Sequence, residues 1–174
     1  MAISIGIDPS LTNCGISDGV SHEIIQTSPK DSVNPVQDLS DRCSKIASSV
    51  ARFIGERENV GIVVIEAPMV GPGANHLYEV GWLMSSIYSY LPKNGVIEIA
   101  PSSLKKFATG KGNTPKGEMP LRIFKKWGVE FDKDLGQDKL FAYCLHRYGL
   151  AILSGEIVHV PSARRGKGGR KKAA

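Results

Sequence analysis

Three acidic residues stand where carboxylates can do chemistry. Asp8 closes the run AISIGID directly before Pro9, and Glu66 closes VGIVVIE two residues before Pro68. An apolar run that meets a proline reads as a strand ending there, because proline cannot donate to a central β-ladder. If the two strands are neighbours, both carboxylates converge on one edge of a sheet, the edge where open α/β sheets bind ligands. Asp138 opens DKLFAYCL, at the amino end of an amphipathic helix. Three hard oxygen donors from separate elements suit Mg²⁺ or Mn²⁺. Each acid also has a purely structural alternative: a turn cap for Asp8, a satisfied ionic residue for Glu66, a helix-dipole partner for Asp138. An acid ending a very apolar strand is costly to bury unpaired, so two of them argue for a bound cation.

The elements needed to position these acids can be read from periodicity. AISIGID alternates like a strand, and NCGISDG and HEIIQTS follow closely enough to form an antiparallel meander with it. Val36, Leu39, Cys43, Ile46, Val50, Phe53 and Ile54 then recur at helical spacing. VGIVVIEAP is a continuous apolar run of the kind seen in a strand covered on both faces. Leu77, Val80, Met84, Ile87, Tyr88 and Leu91 mark a second amphipathic helix before the strand GVIEIA. Strand, helix, strand with this crossover implies a parallel pair, so the fold expected is α/β, a mixed sheet flanked by helices. Beyond Pro101 come a short basic helix, SSLKKFA, and a glycine-punctuated loop, TGKGNTPKG. A helix near Pro120 runs to Trp127, and a last one lies between Asp134 and Tyr148.

At 174 residues and 41% hydrophobic composition the chain has room for one core. Of its 22 basic residues, six fall in the last 14 positions, PSARRGKGGRKKAA, which hold no acid; the remaining 16 face 17 acids, so the body is near neutral. The division expected is a domain over 1–160 and a disordered basic arm over 161–174, whose cations, Arg164 and Arg165 among them, can neutralise phosphates. By composition alone the arm equally suits a solubilising or targeting segment. Cys14, Cys43 and Cys144 make no zinc or redox pattern and read as small core residues in a reducing compartment. His22, His76, His146 and His159 are scattered and suggest no metal site. No run approaches the length of a membrane span and no signal peptide opens the chain, so a soluble, cytoplasmic protein is expected.

The order of the motifs is itself informative. IGIDPSLTNCGIS resembles the first-strand motif of RuvC-like Holliday junction resolvases, and VVIEAP resembles their second acidic strand. PGANHLYEVGWLMSSI is similar to their Asn-bearing helix. PSSLKKFATGKGNTPKGEM reproduces their pattern of Pro, a Lys-bearing helix, Gly-x-Gly and a second Lys. QDKLFAYCL resembles their closing acidic helix. The first motif alone also resembles actin-like ATPases and sugar kinases, but those chains are far longer and repeat a phosphate-loop signature that is not found here. The ordered set covers most of residues 2–150 and resembles the phage-encoded branch most.

This resemblance implies an RNase H-like mixed five-stranded sheet flanked by helices, and a crossover junction endodeoxyribonuclease that cuts four-way or otherwise branched DNA as a homodimer. It implies that Asp8, Glu66 and Asp138 bind two Mg²⁺ ions, with Mn²⁺ a substitute, and that Lys105 and Lys116 face DNA phosphates; Lys106 and Lys111 are weaker candidates. Two departures stand out. Met69 occupies a position where bacterial relatives have an aromatic residue near the junction. Leu135 stands where the family has a fourth acid, three residues before Asp138. Asp134, at i−4, shares a helix face with Asp138 and either supplies that ligand or caps the helix; Asp132 is a weaker candidate. The helix from His76 to Leu91, rich in large apolar residues, is the expected dimer face. The competing functions are a less selective RNase H-like nuclease acting on flaps, branches or RNA–DNA hybrids, and a noncatalytic DNA-binding protein.

Overall fold

The computed structural model describes residues 2–30, 34–68, 76–131 and 136–159. Five strands, β1 (Ile3–Asp8), β2 (Asn13–Ser17), β3 (His22–Gln26), β4 (Val60–Glu66) and β5 (Val96–Ile99), form one sheet in the order β3-β2-β1-β4-β5. β1 pairs antiparallel with β2 and parallel with β4, and β4 pairs parallel with β5, so the sheet is mixed as the connection lengths required. The helices are α1 (Pro35–Gly55), α2 (Leu77–Tyr88), α3 (Pro101–Thr109), α4 (Met119–Trp127) and α5 (Gly136–Leu153), with a single 3₁₀ turn at Lys116–Glu118.

Alternation along the two central strands sorts the core into two layers. Ile5, Ile7, Val63 and Ile65 join Ile46, Val50 and Phe53 of α1 and Leu83 and Ile87 of α2 on one face. Ile62 and Val64 join Leu104 of α3, Ile123 of α4 and Leu140, Phe141 and Leu145 of α5 on the other. Both faces of β1 and β4 are therefore covered, which explains their unbroken apolar runs. Cys14, Cys43 and Cys144 are all buried and unpaired. Among the described residues no helix is long and apolar enough to cross a membrane.

α1 begins where Asn34 accepts a hydrogen bond from the Gln37 N–H at 3.1 Å and Pro35 supplies the first turn. Pro120 lies in the first turn of α4, which the 3₁₀ turn precedes. α5 runs past Tyr148 to Leu153, beyond the end that its sequence pattern marks. The reason is Gly149, a residue that commonly punctuates helices but here lets α5 lie on the sheet. A Cβ there would sit 2.0 Å from Ser4 Oγ and 2.9 Å from a Val64 methyl. Gly6 does the same from the strand side: a Cβ would fall 2.1 Å from the Ala142 carbonyl oxygen and 2.4 Å from the His146 nitrogen.

The β2–β3 turn is tied to α1 by Arg57, which donates to Asp18 and to the Phe53 carbonyl and lies 3.2 Å over the Phe53 ring. Burial by itself raises the Asp18 carboxyl, but hydrogen bonds from Ser21, Arg57 and Val20 outweigh it and hold the group below its ordinary range. A depressed carboxylate contributes stability above its unfolded pKa and loses it as pH falls through the folded value. Arg57→Met is therefore expected to cost about 1–2 kcal/mol at neutral pH, the scale of a charge-assisted hydrogen bond. The gap between the melting curves of the two proteins should narrow as pH falls from 7 below the ordinary carboxylate range; a gap independent of pH would assign the loss to the Phe53 carbonyl and ring contacts alone.

Candidate metal centre and nucleic-acid interface

The register puts Asp8 and Glu66 side by side. Ile7 pairs with Ile65 across the parallel β1–β4 ladder, so the next residue of each strand is an acid. Parity gives their direction: Ser4, Gly6 and Asp8 share one face of β1, and Ile62, Val64 and Glu66 share the same face of β4, the face covered by α5. α5 brings Asp138. Gly15, the partner of Asp8 on β2, lies beneath it, and a Cβ on Gly15 would fall 2.4 Å from the Asp138 carbonyl oxygen. The two strand-end acids thus stand side by side at the carboxyl end of the central strand pair, and α5 brings Asp138 near them.

Electrostatics there are unfavourable for the isolated protein. Burial, then the charges of Glu66 and Asp138, push the Asp8 carboxyl well above its ordinary range. Glu66 is also raised, first by burial, although its hydrogen bond with Asp8 and the charges of Lys116 and Lys105 pull it down. Asp138 is raised by burial and lowered by Lys116. The two carboxyls lie within hydrogen-bond reach of each other, and like charge this close disfavours ionising both. Two half-buried carboxylates compensated only by lysine charge are a donor set that a hard divalent cation fits. Among the described residues no three His, Cys, Asp or Glu side chains are grouped as a ready metal centre, so Asp138 stands near the touching pair without completing it. Asp134 and Asp132, the candidates for a fourth ligand, lie outside the described residues, as do Met69, Leu135, Arg164 and Arg165.

Of the four lysines singled out by the motif, Lys116 reaches all three acids electrostatically and Lys105 reaches Glu66. Lys106 and Lys111 are exposed and have no such influence on the acids. Sequence reasoning missed what holds this loop. Thr109 Oγ1 bonds the Lys105 and Lys111 carbonyls at 2.8 and 3.0 Å and the Thr114 hydroxyl at 2.7 Å. Thr114 is buried, and its own hydroxyl also reaches the Lys111 carbonyl at 2.9 Å. Two threonines flanking a Gly-x-Gly were the available signal: short hydroxyl side chains that bond local backbone brace turns. The histidines build no ligand set among the described residues; His146 is buried with Nδ1 2.8 Å from the Ser4 carbonyl oxygen.

A mixed five-stranded sheet of this order, with its acids at the central strand ends and a covering C-terminal helix, is the RNase H-like class of α/β fold. Within that class the chain has the RuvC form of the fold. A structure of Thermus thermophilus RuvC in complex with a Holliday junction substrate matches it with a TM-score of 0.66 at 19% identity, over 88% of this chain and 98% of that one. A second structure of Thermus thermophilus RuvC matches with a TM-score of 0.64 at 20% identity, over 88% and 96% of the two chains. No protein-family model and no curated protein sequence matches the chain.

Proposed function

We propose that this protein is a Mg²⁺-dependent endonuclease that resolves four-way DNA junctions. The observation that carries this reading is the convergence of Asp8, Glu66 and Asp138 under the charge of Lys116, on a fold shared with a RuvC bound to a Holliday junction. Two divalent cations held by Asp8, Glu66 and Asp138, with Asp134 as a further ligand, would activate a water and neutralise the departing 3′ oxygen. Lys116 and Lys105 hold the backbone beside the acids by charge, which gives affinity with little base preference. The apolar strands beneath the acids keep bulk water off their inner side and fix the carboxylates in place before DNA arrives.

Symmetric resolution needs two active sites, and a two-fold dimer supplies them. The exposed face of α2 suits that contact: Leu77 and Tyr78 remain 47% and 66% exposed, and Tyr78 packs edge-on against Trp82. The basic segment 161–174 adds phosphate affinity without choosing the branch.

The test is cleavage of a four-way junction, a flap, a linear duplex and an RNA–DNA hybrid, each with Mg²⁺ and with chelator. Paired nicks in opposing junction strands, abolished by chelation, are expected. Faster cutting of the flap or hybrid would replace the resolvase with a less selective nuclease. Junction binding without cutting in Mg²⁺ or Mn²⁺ would leave a noncatalytic DNA-binding protein.

A further inference from the structure

The basic residues of the body are unevenly placed. Residues 101–128 hold seven Lys or Arg against one acid, Glu118. Lys105 and Lys116 act on the carboxylates, and Lys106 and Lys111 lie on α3 and its loop. The other three, Arg122, Lys125 and Lys126, are on α4 and have no part in the site described above. Their spacing of three and four residues puts them on one helix face. Together with Ala108, Thr109 and Gly110 at the end of α3 they line an open cleft of about 330 Å³ that no acidic residue lines.

The three cations differ in how firmly they are engaged. Lys126 donates to the Phe107 carbonyl at 2.6 Å and lies over the Phe107 and Trp127 rings, so it is fixed to the fold. Arg122 pairs with Glu118 at 2.9 Å, but the pair is exposed and easily exchanged for another anion. Lys125 is exposed and takes part in no ion pair among the described residues. One face thus offers one anchored and two available cations around a concave surface, the arrangement that a phosphate group fits.

We infer that this cleft binds a backbone phosphate of the same DNA strand that enters the carboxylate site, so that α4 guides an arm of the substrate away from the point of cleavage. The inference rests on the reading of DNA as substrate. α4 starts just after Lys116, and from Met119 to Lys125 it rises about 9 Å at ~1.5 Å per residue. Lys126 also lines a pocket with Ala2 and Leu153, at the far ends of β1 and α5 from Asp8 and Asp138, so the cleft lies along α4 away from the acids. The competing account is that Lys125 and Lys126 merely complement the carbonyl end of α4. That role stabilises the helix and leaves DNA affinity untouched.

The experiment compares the full chain with Arg122→Gln/Lys125→Gln, Lys116→Gln and Lys93→Gln. Fluorescence anisotropy on a labelled four-way junction and a linear duplex, without divalent cations, is followed across a salt series. The slope of log affinity against log salt should become shallower by about 1 unit in the double variant, at ~0.9 per neutralised phosphate, and equally on both DNAs. Lys93→Gln, on the loop before β5, should keep the slope of the parent. A parental slope in the double variant while Lys116→Gln shows a shallower one overturns the inference and leaves the DNA reading intact. A lowered melting temperature with a parental slope assigns the α4 cations to helix stability and overturns it too. Absence of salt-dependent binding by the parent protein would instead remove the DNA reading on which it rests.

Discussion

Asp8→Asn is expected to abolish Mg²⁺-dependent junction cleavage and, at the same time, to make the metal-free protein more stable. Loss of turnover should exceed about 100-fold, the upper end for losing a group that merely supports a metal ligand. The stability gain follows from the site's electrostatics. Asp8 is half-buried beside Glu66 and within the field of Asp138, and its carboxyl is raised well above its ordinary range. An acid raised in the folded state stabilises the fold while protonated, and that contribution is lost as pH climbs from the ordinary carboxylate value through the raised one. Asparagine keeps a donor for Glu66 and carries no charge. Relief of a strained functional site is typically worth about 0.5–2 kcal/mol, and each kcal/mol moves the melting temperature by roughly 2–4 °C for a chain of this size. Melting curves at pH 5 and pH 8 should show a larger gain at pH 8. Mg²⁺ should raise the melting temperature of the parent and leave that of the variant nearly unchanged. A variant less stable than the parent at both pH values, still stabilised by Mg²⁺, would take Asp8 out of the metal site.

Gly6→Ala should have the largest effect on the fold of any single methyl group. The new Cβ would fall 2.1 Å from the Ala142 carbonyl oxygen and 2.4 Å from the His146 nitrogen, both backbone atoms of α5. Backbone cannot swing aside as a side chain can, so the helix must lift from the sheet. Overpacking of this kind costs about 3 kcal/mol or more, or on the order of 10 °C in melting temperature. Gly55→Ala at the end of α1 is the control: nothing lies within 4 Å of its added methyl, and stability should stay within about 0.5 kcal/mol. Because α5 carries Asp138, any Gly6→Ala protein that still folds should lose more activity at low temperature than its unfolded fraction explains. Equal melting temperatures for Gly6→Ala and the parent would show that α5 does not lie where the sheet places it.

Much of this architecture was legible before any coordinates. Asp8 and Glu66 could be singled out because an apolar strand, an acid and a nearby proline form a local signal, and parity then fixes their common face. The switch from antiparallel meander to parallel crossover could likewise be read from connection lengths. Lys105 and Lys116 came from motif order, since nothing in their local sequence separates them from other lysines. What stayed hidden depends on contacts between distant residues. Gly6 and Gly149 look like weak points of a strand and a helix, and only the packing of α5 on β1 shows them to be the means of close approach. The Asp18–Arg57 tie joins residues 39 positions apart, with no periodicity to announce it. The Thr109–Thr114 brace was within reach, but hydroxyls in a glycine-rich loop resemble solvated turn residues until Thr114 is seen to be buried.

The docking of α5 against β1 also has a consequence for the order in which the protein is made. Asp8 emerges from the ribosome with the first strand, and Glu66 follows with the fourth. Asp138 comes only with the last described helix, which also covers Gly6. A nascent chain halted before residue 136 therefore lacks Asp138 and leaves one sheet face uncovered. Long-range closure of this kind is slow compared with local helix formation, because the loop entropy is lost before the contact is gained. Translation itself thus delays the assembly of Asp8, Glu66 and Asp138 until nearly the whole described fold has been synthesised.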